Sequence, residues 1–196
     1  MSLALFDFDG TITNKDSLFG FTIFCKGKLG FYLGLIVLSP VLVLLKMKLV
    51  SAKKAKEAFF SYFFRGTDIN EFKSMCSEFC KSVVPSIIRS DALQKIEFHI
   101  ENGHEVIIVT ASSPYWVLPW ASQFGISVIG TELDSNKGTI SGKIRGNNCN
   151  GKEKLERIRK HVKLEEYEKV YAYGDTEGDK EMLSIADESY LKLFIG

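Results

Sequence analysis

Cysteine, histidine and tryptophan are scarce in this chain of 196 residues, with four, three and two of each. Cys25, Cys76, Cys80 and Cys149 are scattered and form no C-x-x-C pair. That spacing excludes a disulfide scaffold and a structural zinc site, and it fits a reducing compartment. Cys76 and Cys80, with Phe72 and Phe79 beside them, read as packing on one helix face. His99, His104 and His161 sit on or beside predicted helices and receive no catalytic role. An excess of one charge is also lacking: 25 Lys and Arg stand against 24 Asp and Glu, a net +1. No general electrostatic footprint for nucleic acid results. The start Met1-Ser2-Leu3-Ala4-Leu5-Phe6-Asp7 has neither a basic leader nor a cleavage site, so a cytoplasmic location is expected. No internal repeat is visible. What is present is a 45% hydrophobic chain, enough for one good core and a small appended domain.

Near-neutrality hides an asymmetry. Residues 17 to 84 hold ten cations against four anions, a net +6, which leaves −5 for the remainder. Such a split points to two regions with different partners. The basic region carries helical aromatic periodicity (Phe59, Phe60, Tyr62, Phe63, Phe64) and no strand-like run, so an all-helical insert is expected over 17–85. Within it, Leu29 to Leu45 runs seventeen residues without a charge, bracketed by Lys26 and Lys28 before and by Lys46 and Lys48 after. A spanning helix needs about twenty. Pro40 and two glycines also weaken or kink a helix here. Three readings stay open: a helix or helical hairpin buried in the insert or in a homodimer contact, a helix lying in a membrane interface, and a true span. In each, the run demands burial against something.

Outside the insert, buried strands alternate with helices. Leu3 to Phe8 is a short apolar run that carries Asp7 and Asp9 at its end. Glu105 to Val109 is closed by Thr110-Ala111-Ser112 and preceded by an amphipathic stretch from Ser90 to Asn102 that stops at Gly103. Lys169 to Tyr173 is closed by Gly174-Asp175, with helical stretches expected at Lys152–His161 before it and Asp179–Ala186 after it. Ser189 to Phe194 reads as a last strand. This alternation predicts an α/β fold with a doubly wound, mostly parallel sheet, formed by 1–16 and 86–196, whose ligands sit beyond the carboxyl ends of the strands. Ser127–Leu133 and Thr139–Ile144, flanking Asp134 to Gly138, predict a β-hairpin flap on that sheet.

Asp7 and Asp9 share one side of an extended chain, because side chains alternate with period two. Two close carboxylates repel unless a cation holds them. Asp175 and Asp179 supply a second acidic pair after another strand, with an N-cap role for Asp179 as its local alternative. Hard oxygen ligands from two strand ends suit Mg²⁺ and leave room for water and a phosphate, whereas Zn²⁺ would want Cys or His.

Asp7-Phe-Asp9-Gly10-Thr11, a strand ending in Thr110, a lysine in Gly151-Lys-Glu-Lys154, and Gly174-Asp175-x-x-x-Asp179 resemble, in order, the four motifs of haloacid dehalogenase-like phosphatases. The insert after the first motif and the hairpin after the second resemble the phosphoserine phosphatase branch. The resemblance implies a Mg²⁺-dependent phosphatase acting on a phosphomonoester. Asp7 would be the nucleophile, and Asp9 would protonate the leaving oxygen and later activate water. Mg²⁺ would be held by the Asp7 carboxylate, the Asp9 carbonyl and Asp175, with Asp179 holding a metal-bound water. Thr110, the Ala111 N–H and Gly10 would surround the phosphoryl group. The motif lysine is Lys154 or Lys152, with Lys154 favoured by spacing and Lys152 kept as a substrate contact. Asp16, nine residues after the nucleophile, occupies the place of a glutamate near the substrate in that branch. The branch's insert arginine for a substrate carboxylate has only Arg65 nearby. That departure and the apolar, basic insert resemble phosphatidylglycerophosphatase C-type relatives, which act on a lipid-borne phosphomonoester at the inner membrane face. The expected leaving group is therefore lipid-linked, with a small soluble metabolite as the alternative, and the expected partners are the substrate and an anionic membrane at the insert. Trp116 and Trp120 read as core or as rim of the site.

Overall fold

The computed structural model describes residues 1–194; the last two residues of the expected core, 195 and 196, lie outside the described residues. Five parallel strands form the central sheet in the order β3-β2-β1-β6-β7. They are β1 (Leu3–Phe6), β2 (Glu105–Val109), β3 (Ser127–Ile129), β6 (Val170–Gly174) and β7 (Glu188–Leu191). All four residues of β1 are fully buried, as a central strand covered on both faces requires. Alternation then divides the core. Ala4 and Phe6 face one apolar cluster, while Leu3 and Leu5 face another that contains Ile107, Ile158, Ala172 and Met182. The first cluster runs on without interruption into the helical insert through Phe21, Phe60, Phe64 and Trp116.

That insert comprises α1 (Ser17–Lys46), α2 (Ala52–Phe64) and α3 (Ile69–Ser82), followed by the short α4 (Val84–Ile87). Each long helix starts on a side-chain cap: Asp16 accepts from the Phe19 N–H, Ser51 from Lys54, and Asp68 from Asn70 and Glu71. The apolar run does not break where proline suggested. Pro40 is accommodated inside α1, and the chain turns instead at Gly27, whose φ of 71° and ψ of 163° lie outside helical space. The turn is sharp enough to bring the Phe19 and Phe31 rings to 5.5 Å, where twelve residues of straight helix would separate them by about 18 Å. After it, Phe31, Gly34 and Leu38 are buried, and Gly34 lies close against the Phe63 and Tyr62 rings of α2.

The core helices are α5 (Ser90–Glu101), α6 (Pro114–Ala121), α7 (Lys152–His161) and α8 (Lys180–Leu183). The expected Asp179–Ala186 helix is shorter, a 3₁₀ turn at Glu177–Asp179 leading into α8. A hairpin is present, with β4 (Leu133–Asn136) and β5 (Thr139–Ile144) around Lys137 and Gly138, both at positive φ. Its first arm is shorter than expected, because Ser127–Ile129 joins the parallel sheet beside β2. The hairpin also bonds to the insert: Gly66 donates to the Ile140 carbonyl at 2.8 Å, Ile140 to Thr67 at 2.9 Å and Ile69 to Gly138 at 2.9 Å.

Candidate active site

Parallel pairing carries β1, β2 and β6 to a common edge, where Asp7, Thr110 and Asp175 follow the last paired residues. A cavity of about 230 Å³ opens there, lined by Asp7, Asp9, Asp16, Thr110, Lys154, Asp175 and Asp179, among others. Asp7 is 6% exposed, and its N–H donates to the Tyr173 carbonyl at 2.9 Å. Lys154, 1% exposed, donates to Asp7 Oδ1 at 2.5 Å and to Asp179 Oδ1 at 2.6 Å. Burial pulls the lysine pKa down, but the two carboxylates outweigh it and hold the ammonium charged, above the ordinary lysine range. Burial pushes the Asp7 carboxyl up to about 7; Lys154 opposes the rise, and Asp179 and Asp9 add to it. Asp179 is held below its ordinary value despite burial, by Lys154 and by N–H donors at Thr176 and Asp175.

Asp179 does not cap its helix with its side chain. Its Oδ2 accepts from the Thr176 backbone and hydroxyl in a capping box, which leaves Oδ1 for Lys154. Asp175 has one carboxylate oxygen, Oδ1, buried without a hydrogen-bond partner. Burial and the neighbouring Asp179 raise its pKa. Oxygens of Asp7, Asp175 and Asp179 all lie within 4.8 Å of one another. Three hard donors so close, one of them unsatisfied, fit a divalent cation of the Mg²⁺ kind. Gly10 makes this approach feasible: with φ at +85°, a Cβ there would lie 2.2 Å from Asp175 Oδ2. Its part is to give Asp175 space.

Asp9 belongs to the same cavity but points its oxygens elsewhere. Oδ1 accepts the Ser17 N–H at 2.6 Å, and Oδ2 accepts the Ser112 hydroxyl at 2.5 Å. With that proton committed, Ser17 Oγ donates to Ser112 Oγ at 3.0 Å and accepts the Trp116 indole N–H at 2.9 Å. Trp116 is thus core, 1% exposed, and anchors a chain of bonds that ends on Asp9; Trp120 is buried as well. Thr110 is fully buried, and its hydroxyl accepts the Ser112 N–H at 3.0 Å.

Of the remaining candidates, Ala111 and Asp16 line the cavity, and Asp16 also caps α1. Lys152 does not reach it: exposed at the start of α7, it is a solvated residue, because the helix turns Lys154 inward two positions later. Arg65 is likewise exposed, beside Gly66 and the hairpin tip at Asn136 and Lys137. The insert's cation in the cavity is Lys56, which sequence reasoning passed over. Its Nζ donates to the Ala111 carbonyl and to Asn148 Oδ1, both at 2.9 Å. Lys53-Lys54-Ala55-Lys56 reads as a solvated run, but Lys56 stands three and four residues before the buried Phe59 and Phe60, on the inward face of α2.

The haloacid dehalogenase-like hydrolase family model matches residues 4–184. The chain belongs to that family. The protein CicA of Caulobacter vibrioides is 37% identical to this hydrolase over 198 residues, covering 99% of this chain and 87% of the relative. A probable phosphatase of Mycobacterium tuberculosis is 29% identical over 121 residues, 60% of this chain and 42% of that protein. Among solved structures, a Bordetella pertussis Tohama I protein of unknown function superposes with a TM-score of 0.84 at 21% identity, over 97% of this chain and 89% of that one. A substrate-bound phosphoserine phosphatase gives 0.69 at 17% identity, over 95% and 83%. These likenesses bear out the expected family and α/β fold of the hydrolase.

Proposed function

We propose that this hydrolase is a Mg²⁺-dependent phosphomonoesterase working through a phosphorylated Asp7. The observation that supports it is the unpartnered Asp175 oxygen within a three-carboxylate cluster that also contains Asp7. Asp7, Asp175 and the Asp9 carbonyl would hold the cation, which supplies positive charge against the phosphoryl oxygens. Asp7 attacks phosphorus, the ester P–O bond breaks, and the leaving oxygen takes a proton from Asp9. Water then attacks the acyl phosphate while Asp9 takes its proton, which frees orthophosphate and restores Asp7. Lys154 keeps positive charge at Asp7 while the dianionic ester approaches. Thr110 and the Ala111 backbone bound the phosphoryl position. Ser17 and Ser112 orient Asp9.

A lipid-borne phosphomonoester at the cytoplasmic face of a membrane is the leaving-group reading we favour. The long apolar second part of α1 continues from Ser17, which touches Asp9, and the cysteines among the described residues are all free thiols. A soluble, charged metabolite is the second reading, supported by Asp16 and Lys56 in the cavity wall. Purified protein with Mg²⁺, tested on a panel of phosphorylated amino acids, sugars, nucleotides and detergent-dispersed lipid phosphates, is expected to release phosphate fastest from the lipids. Asp7→Asn is expected to lower turnover at least ~10³-fold while leaving the circular dichroism unchanged. Full turnover by that variant would overturn the mechanism, and preference for a soluble ester would replace the lipid reading.

A further inference from the structure

The part of α1 after Gly27 shows two opposed apolar stripes. Phe31, Gly34 and Leu38, at spacings of three and four, are buried, Phe31 and Gly34 against the Phe63 ring of α2. On the other side Leu29 is 74% exposed, Leu33 52%, Ile36 67%, Val37 59% and Val43 57%. Leu29, Leu33 and Ile36 stand four and three residues apart, Val37 four after Leu33 and Val43 seven after Ile36, so they share one side and form a band along the helix, larger than scattered surface leucines. Lys26 and Lys28 stand at one end, and Lys46 and Lys48 at the other, with Lys54 just beyond. No Asp or Glu occurs between Asp16 and Glu57. Among the described residues, no carboxylate pairs with Lys28, Lys46, Lys48 or Lys54.

Charge decides what covers the band. A second copy of the helix, in either direction, would bring lysines against lysines with no acidic residue to answer them. An anionic bilayer answers both features, because acyl chains receive the apolar band and headgroups receive the lysine ends. We infer that this face of α1 docks in the plane of an anionic membrane, and that it does not cross it. Crossing is opposed by the second stripe: α2, which it packs against, is also bonded to the hairpin through Glu57 at the Ile144 N–H. A spanning α1 would have to exchange that packing for lipid or drag the folded domain after it. Ser17 and Gly27 are ten residues apart, about 15 Å of helix, so docking places the cavity near the bilayer surface. The inference extends the lipid reading of the substrate but does not depend on the phosphoryl chemistry.

Co-sedimentation of the full chain with phosphatidylcholine vesicles, with and without about a third phosphatidylglycerol, tests it. Binding is expected to be at least ~10-fold tighter to the anionic vesicles and to weaken as salt rises to about 0.5 M. Leu33→Ser, Ile36→Ser and Val37→Ser combined should lower it ~50-fold or more, with turnover of a soluble phosphomonoester unchanged. Lys46→Gln and Lys48→Gln, which leave the apolar band intact, should each lower it about fivefold. Unimpaired binding by these variants, or no binding to anionic vesicles at low salt, overturns the inference. So does a dimer that the serine variants dissociate in the absence of vesicle binding. Vesicle binding without phosphatase activity would leave docking standing and remove the catalytic reading; activity without binding would do the reverse.

Discussion

Lys154 and Ile36 stand at opposite ends of the same scale. The lysine is 1% exposed and touches two carboxylates, while the isoleucine is 67% exposed on the face of α1 turned away from α2. Most of the chain follows the common rule, with Leu3, Leu5 and Phe6 buried and lysines such as Lys152 in water. The cavity inverts the rule by burying charge, and the outer face of α1 inverts it by exposing hydrocarbon. Each inversion opposes folding locally and would serve the proposed recognition: desolvated charge strengthens attraction to a phosphoryl group, and exposed hydrocarbon can enter lipid. Their difference lies in how the protein tolerates them. In the cavity, Lys154 pairs with Asp7 and Asp179 and leaves Asp175 for a cation; on α1, the band is carried by a separate stripe that packs.

The largest expected effect breaks the cavity side of this comparison. Lys154→Met leaves Asp7 and Asp179 buried without their shared cation, and should cost about 3–5 kcal/mol of stability, with a melting temperature lower by roughly 10 °C. Added Mg²⁺ should recover part of that loss through binding to the folded state, which thermal melts with and without EDTA would show. An unchanged melting temperature would mean that the ion pairs are not what holds these carboxylates in place.

Within α1, two substitutions sharpen the contrast. Leu38→Ala removes packing from the buried stripe and should cost about 2–3 kcal/mol, whereas Ile36→Ala on the exposed band should stay within about 0.5 kcal/mol. Urea unfolding of both variants measures the difference, and equal losses would show that the outer face is covered in solution.

A smaller effect comes from His99, which is fully buried between the Tyr173 hydroxyl at 2.9 Å and His104 at 2.8 Å. Burial, His104 and Lys95 pull its pKa from 6.5 to about 4. The unfolded chain therefore takes up a proton near pH 6.5 that the folded chain refuses until about pH 4. Stability from this neutral histidine is present above pH 6.5 and is lost as pH falls through that window. Melting temperature should drop more steeply from pH 7 to 5 in the parent than in His99→Gln, and equal slopes would remove the histidine from the acid response.

Much of the candidate site was legible in one dimension because its parts end strands. Asp7, Thr110 and Asp175 each follow a buried apolar run, so recognising parallel strands was enough to bring them to one edge. The spacing of the motif it resembles favours Lys154 over Lys152 without separating them, and the helix phase of α7, which turns Lys154 inward and leaves Lys152 in solvent, supplies the difference. Lys56 stayed hidden because its purpose depends on α2 resting over Ala111 and Asn148, a contact between residues 55 and 92 positions apart. Arg65 misled because proximity in sequence to the aromatic face says nothing about which end of α2 meets the cavity. The first hairpin arm reads as longer in sequence than it is, because Ser127–Ile129 carries the apolar pattern of either a flap or an edge strand, and register with β2 makes the choice.

Residue order alone was sufficient for the alternating core, the helical insert, the acidic pairs and an apolar run that demands a cover. These are properties of local periodicity and of residue chemistry, and they survive without knowing what lies opposite. Packing in three dimensions settled the turn at Gly27, the orphaned Asp175 oxygen, the bond chain from Trp116 to Asp9, and which face of α1 stays bare. Each of those depends on contacts between segments far apart in the chain, where the free energy of a side chain is set by its neighbours in space.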